Sequence, residues 1–194
     1  MQDAPQPGQY HHGNLRTTLL QTARKLLETE GPSGLKLRAI TRAAGVSAMA
    51  AAPHFGNLQG LLTALATQGF EELSRNMEQV QPRTLNAVGI AYILFALQNP
   101  GLFTLMFRSD AIDGTQPGFR QVAQRAFSIL EKKATAAGDT STDAAASALQ
   151  AARWAQVHGL AVLALDGLLD PFVEREPGQT LEKFVVQVMA RLAL

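Results

Sequence analysis

LKLRAITRAAGVSAMAAAPHF, residues 35–55, decides the fold. Leu37, Ile40 and Ala44 recur at helical spacing, and Gly45 ends that pattern. Val46 is a buried-type residue at a tight turn, and Ser47 is placed to cap a second helix. Two short helices joined this way, with basic residues on the outer side of the first, make a helix-turn-helix. That shape lays its second helix in the major groove of DNA.

Working outward, Asn14 caps a helix that runs to about Glu30. Leu15, Leu19, Ala23, Leu26 and Leu27 line its apolar side, while Arg16, Thr17, Arg24, Lys25 and Glu28 face away. Gly31-Pro32 stops it. On the other side, Asn57 caps a long helix through Leu61, Leu62, Leu65, Phe70 and Leu73, ending near Pro82. That helix is the hinge between head and body. The body reads as helical throughout. Ala87 to Gln98 is closed by Asn99-Pro100-Gly101, and Leu102 to Phe107 is a short apolar helix. A loop follows at Asp113-Gly114 and Pro117-Gly118. Phe119 to Ala137 is amphipathic, Gly138 to Ser141 is a loop, and Thr142 caps a helix to about Leu169. After Pro177-Gly178, Leu181, Phe184, Val185, Val188, Met189 and Leu192 form a last apolar stripe. There is no strand alternation and no internal repeat. The expectation is an all-α chain of about nine helices. It divides into a disordered arm (1–13), a DNA-binding head (14–73, motif 35–54), and a helical body (74–194).

Hydrophobic residues make up 46% of the 194, enough for a substantial core. The net charge of +1 is unevenly spread. Up to Leu65 there are six Lys/Arg against three acids, and beyond it eleven against thirteen. A basic head on a mildly acidic body suits DNA contact by the head alone; a merely solvated surface is the plainer reading of so small an excess. The chain has no cysteine, which excludes disulfides and thiolate chemistry and fits a reducing cytoplasm. No signal peptide and no membrane-length apolar run is present, so a cytoplasmic protein without membrane contact is expected.

Several stretches resemble the tetracycline-repressor (TetR) family. In the head these are Tyr10-His11-His12-Gly13-Asn14-Leu15-Arg16, Ala23, Leu26-Leu27, Glu30-Gly31, Leu37-Arg38, Arg42-Ala43-Ala44-Gly45-Val46-Ser47 and His54-Phe55. In the body, Asn99 to Phe103, Leu105 to Phe107 and the Trp-x-x-x-His-Gly of Trp154 to Gly159 are similar to a subgroup of that family. The resemblance implies an all-helical homodimer that represses transcription from a palindromic operator. It also implies release by a small, largely apolar effector and pairing through the last two long helices.

Against that pattern, the family's Tyr falls on Ala52 and its Lys on Leu58, removing two phosphate contacts per subunit; each contact carries about 0.9 of the salt slope. Pro53, near the sixth helical position, should kink the recognition helix or end it near Ala51. The candidate DNA contacts are Lys36, Arg38, Thr41, Ser47, Ala48, Met49, Ala50 and His54. Arg38 is the best remaining base or phosphate contact. Alanine and Met can touch a thymine methyl but cannot make paired hydrogen bonds to G or A. His54 is first a packing residue, and Phe55 is core. His11 and His12 do not share a helix face, so no metal site is expected there.

In the body, Phe95, Phe103, Met106, Phe107, Phe127, Trp154 and His158 are candidate effector-cavity residues; aromatic and Met side chains also build ordinary cores. Asp166 lies at a dimer seam or pairs with Arg153 or Arg125. No P-loop, no Gly-x-Ser-x-Gly and no metal-spaced His/acid set appears, so neither enzyme nor cofactor is expected. Two readings stand: a ligand-responsive repressor, or a protein of this fold with weakened or lost operator binding that serves as a ligand or interaction module.

Overall fold

The computed structural model describes residues 15–131 and 143–192. The N-terminal arm, the Asn14 cap, His11 and His12, the Gly138 to Ser141 loop and the Thr142 cap lie outside the described residues. Among these residues there are ten α-helices, one 3-10 turn and no strand.

Helix α1 (Leu15–Gly34) buries Leu19, Leu20, Ala23 and Leu27 and breaks at Gly31, whose φ of 70° is open to glycine. Helix α2 (Leu37–Ala43) ends in a Schellman turn. The Val46 N–H donates to the Thr41 carbonyl at 2.9 Å, and the Gly45 N–H, at φ 71°, donates to Arg42 at 3.1 Å. The second element of the motif splits into a 3-10 turn (Ala48–Ala51) and one α-turn, α3 (Ala52–Phe55). The break expected near Ala51 is therefore present, and its cause is visible. Pro53 falls in the first turn of α3, where its missing N–H leaves no intrahelical bond unmade. Ser47 departs from expectation. Its side chain makes no capping hydrogen bond, and its carbonyl instead accepts from the Ala50 N–H at 3.1 Å, closing the 3-10 turn.

Helix α4 (Leu58–Glu78) is capped by Asn57, whose Oδ1 accepts from the Gly60 N–H at 2.9 Å. It carries the head core (Leu61, Leu62, Leu65) and continues into the body core (Phe70, Leu73, Met77). Helix α5 (Leu85–Gln98) starts from a Thr84 cap, and α6 (Pro100–Met106) follows at once. Helix α7 (Pro117–Glu131) packs on α4, and α8 (Asp143–Leu165) packs on α5. Short α9 (Asp170–Val173) precedes α10 (Leu181–Met189), capped by Thr180. Helices α9 and α10 are separate, and α8 stops four residues short of Leu169. No single helix is long and apolar enough to cross a membrane.

Head and body meet where α6 abuts α1. The Glu28 carboxylate accepts from the Gly101 N–H at 2.8 Å and the Leu102 N–H at 3.1 Å, so a side chain of α1 caps α6 from outside. Arg24 ties the same joint, donating to Asn99 Oδ1 at 2.6 Å and pairing with Glu28 at 3.2 Å and Glu72 at 3.5 Å.

Candidate functional site

Ala51 is the one residue of the 3-10 turn that is buried. It anchors the turn and leaves Ser47, Ala48 and Met49 outward, with Ala50 half-buried. Met49 is 78% exposed, an unusual position for a large apolar side chain unless something covers it. Lys36 and Arg38 are exposed beside it, and so is Arg42. Thr41 is not on this surface. It is buried, and its hydroxyl donates back to the Leu37 and Arg38 carbonyls at 3.0 and 3.3 Å. His54 is half-buried against Phe55, their rings 6.2 Å apart. Phe55 is only half-buried, its outer face covered by the Arg16 guanidinium at 5.4 Å. Arg16 and Arg42 thus join the cationic rim. Arg42 is visible in the sequence as one of the basic residues of the motif; Arg16 is not, because its place beside Phe55 exists only once α1 and α3 pack.

In the body, rings from five helices touch in one continuous set. Phe70 of α4 meets Phe107 and Phe119 at 5.5 Å and Phe127 at 6.2 Å. Tyr92 of α5 meets Phe103 at 5.4 Å. His158 of α8 lies 4.4 Å from Phe107 and 5.3 Å from Trp154, and Trp154 stands edge-on to Phe127 at 5.1 Å. Five of the seven candidates from sequence fall in this set. Phe95 is buried on α5 but makes no ring contact with it among the described residues, and Met106 turns toward Gly69 on α4. Between α7 and α8, Phe127 and Trp154 open onto a cavity of about 350 Å³, with Ser147, Gln150 and Ala151 completing its lining.

Tyr92, absent from the sequence candidates, supplies the polar centre of the set. Its hydroxyl lies 2.9 Å from His158 Nδ1. Burial pushes the Tyr92 phenol above its ordinary range and pushes the His158 imidazole below its own, so both are neutral at pH 7. A folded-state pKa below the unfolded one means that the unfolded chain takes up the proton first as pH falls. Stability from this source is complete above about 6.5 and is lost as pH drops through the folded value. Thermal melts from pH 7.5 to 5 should therefore show a decline that His158→Gln reduces; parallel profiles for the two proteins would contradict it.

Asp166 is exposed, and neither Arg suggested for it pairs with it. Arg125 binds Glu78 at 2.8 Å, and Arg153 Nε is buried without a hydrogen-bond partner among the described residues. No group of three or more metal-ligating side chains occurs among the described residues.

A helix-turn-helix head with an exposed second element, set on a helical body, is the architecture of a DNA-binding regulator. Residues 19–65 match the N-terminal domain of the bacterial tetR regulatory proteins, and residues 85–188 match the tetracyclin repressor-like C-terminal domain. The chain belongs to the TetR family, whose regulators are non-enzymatic DNA-binding proteins. Its structure is similar to that of a protein of unknown function from Rhodococcus sp. RHA1, 32% identical, with 95% of this chain and 96% of that one aligned and a TM-score of 0.72. NalD of Pseudomonas aeruginosa, the secondary repressor of the MexAB-OprM multidrug efflux pump, shares the fold at 21% identity, 93% and 96% coverage and a TM-score of 0.54. So does the TetR-family regulator PfmR of Thermus thermophilus, at 15% identity, 91% and 98% coverage and a TM-score of 0.54. No curated protein matches the chain significantly.

Proposed function

We propose that this protein is a ligand-responsive transcriptional repressor that binds a palindromic operator as a homodimer and leaves it when a small molecule enters the body. The observation that carries the reading is the outward presentation of Ser47, Ala48 and Met49 over a buried Ala51, flanked by Lys36 and Arg38. Lys36 and Arg38 serve the phosphates and base edges, and Met49 with Ala48 and Ala50 serves thymine methyls. His54 supports the turn from its half-buried place. Dimerisation is supported by the large apolar side chains left exposed on α8 and α10, Leu149, Val162, Leu163 and Val186.

The effector enters at the α7–α8 cavity, where Phe127 and Trp154 lead through His158 to Phe103 of α6 and to Phe107 just past its C-terminal end. Helix α6 is in turn held to the head by Glu28. A ligand that moves Trp154 can shift α6 and so the head, a two-state bias of the kind that couples distant sites. Selection of genomic fragments by the purified protein tests the reading. An enriched inverted repeat supports it; no enrichment at low salt refutes it.

One set of residues favours the second reading, a ligand module with weakened operator binding. Ser47 to Ala51 hold no side chain capable of bidentate base contact, and the positions of Ala52 and Leu58 hold no phosphate ligand. Ala52 is exposed and Leu58 half-buried at the first residue of α4, so Tyr and Lys both fit there. Ala52→Tyr with Leu58→Lys should tighten DNA binding and steepen its salt dependence by about 0.9 per added phosphate contact. A gel-shift titration across salt concentrations reads this; no gain would mean that those phosphates lie out of reach.

A further inference from the structure

We infer that the head reads pyrimidines in DNA by their C5-methyl group, accepting thymine and 5-methylcytosine alike and disfavouring uracil and unmethylated cytosine at the same positions. Cytosine methylation within an operator then strengthens binding. The inference rests on the operator binding proposed above and adds the chemical group that is read.

Three observations carry it. First, the most outward side chain of the motif is apolar. Met49 is 78% exposed. In water its thioether chain gains nothing; laid on a methyl group it removes apolar area from solvent, and its flexibility lets it follow the contact. Second, the backbone fixes where it points. The Ser47 carbonyl accepts from the Ala50 N–H at 3.1 Å, and the Met49 carbonyl accepts from the Ala52 N–H. A 3-10 turn repeats about every three residues, so Met49 and Ala52 share one edge. Both are exposed, as are Ala48 and Pro53, while buried Ala51 pins the turn from behind. Exposed Lys36, Arg38 and Arg42 lie in the same motif. An apolar edge among cations matches a groove whose floor carries methyl groups and whose walls carry phosphates.

Third, the edge is blind to what lies beside the methyl. Thymine presents a carbonyl acceptor at C4, and cytosine presents an amino donor there. Alanine has no polar side-chain atom, and methionine has only a weak sulfur acceptor. Ser47, the polar member at the start of the turn, has a hydroxyl that both donates and accepts, so either base satisfies it. Side chains that feel the methyl and not its neighbour treat thymine and 5-methylcytosine as one.

The test uses the full-length protein and a duplex selected by it from a random-sequence pool at low salt. The selected duplex is remade with deoxyuridine in place of thymine, one symmetry-related pair of positions at a time. At the sensitive positions it is also remade with cytosine and with 5-methylcytosine. Each comparison, thymine with uracil and 5-methylcytosine with cytosine, changes a methyl group alone. Under Met49 the loss of that methyl should weaken binding about four-fold per half-site, and the two ratios should agree. Met49→Ala removes an exposed side chain, so it should leave the melting temperature unchanged and bring both ratios close to one. The inference is overturned if the duplex binds equally well without its methyl groups, if only one of the two ratios departs from one, or if Met49→Ala leaves both as they were. Each of those results leaves the repressor reading standing, whereas a pool from which no sequence is enriched overturns both. Equal binding with and without methyl groups, together with association of the DNA-free protein that Met49→Ala abolishes, would assign the edge to a second copy of the chain instead.

Discussion

Gly101→Ala is expected to lower the thermal midpoint by roughly 4–10 °C, the equivalent of about 1–3 kcal/mol of overpacking in a chain of this length. Helix propensity alone argues the other way, since alanine replacing glycine within a helix gains about 1 kcal/mol. The sign is decided by what the new methyl meets. A Cβ at Gly101 would lie 2.5 Å from the Leu27 carbonyl oxygen and 2.9 Å from its carbon. Those are backbone atoms of a fully buried residue in α1, so no side chain can rotate away. Helix α6 would have to back off, and the two hydrogen bonds from Gly101 and Leu102 to Glu28 would lengthen with it. Gly118→Ala, where nothing lies within 4 Å, is the matched control and should change the midpoint little. If both variants melt with the wild type, α1 and α6 do not approach as closely as described. Because α6 carries Phe103 and leads directly into Phe107, Gly101→Ala should also alter the ligand response in whatever protein remains folded.

The head is legible in the sequence because its signals are local. Gly45 after Ala44 reads as a helix stop, and the structure uses it for the turn that joins α2 to the 3-10 segment. Pro53 signals a break near Ala51, and that is where the 3-10 turn gives way to α3. Thr41 misleads for a physical reason. A threonine among basic residues looks exposed, but its hydroxyl can satisfy itself on the preceding turn and so be buried without a partner elsewhere. The parts that escape a reading of the sequence are non-local. Tyr92 sits in an unbroken apolar run with no periodicity to single it out. Its importance comes from His158, 66 residues away, once α5 and α8 pair. Ser147, Gln150 and Ala151 lie in an alanine-rich stretch that presents no motif at all, and only the packing of α7 against α8 makes them a cavity wall. The clamp of Glu28 on Gly101 and Leu102 spans 73 and 74 residues and joins two stretches that each read only as helix ends.

Gly60→Ala should reduce operator affinity by about 100-fold or more while leaving ligand binding at Trp154 unchanged. A Cβ there would stand 2.0 Å from the Phe55 carbonyl oxygen and 3.1 Å from its carbon, an overlap that cannot persist. Phe55 closes α3, and the chain reverses into α4 through Gly56, at φ 71°, and Asn57. The Asn57 N–H donates to the Phe55 carbonyl at 2.8 Å, and the Asn57 side chain holds the Gly60 N–H, so all four residues form one tight corner. The added methyl must push Phe55 outward, and Ser47 to His54 move with it relative to Arg38. Losing the fit of both half-sites at about 1–3 kcal/mol per disturbed base contact accounts for the expected size of the effect. The body core begins at Phe70, nearly three turns further along α4, which keeps the Trp154 cavity out of the disturbance. Operator affinity by fluorescence anisotropy and ligand affinity by calorimetry, measured on the same folded sample, separate a displaced reading surface from general unfolding. Unchanged operator affinity would mean that Met49 and its neighbours do not depend on the α3–α4 corner for their place on DNA.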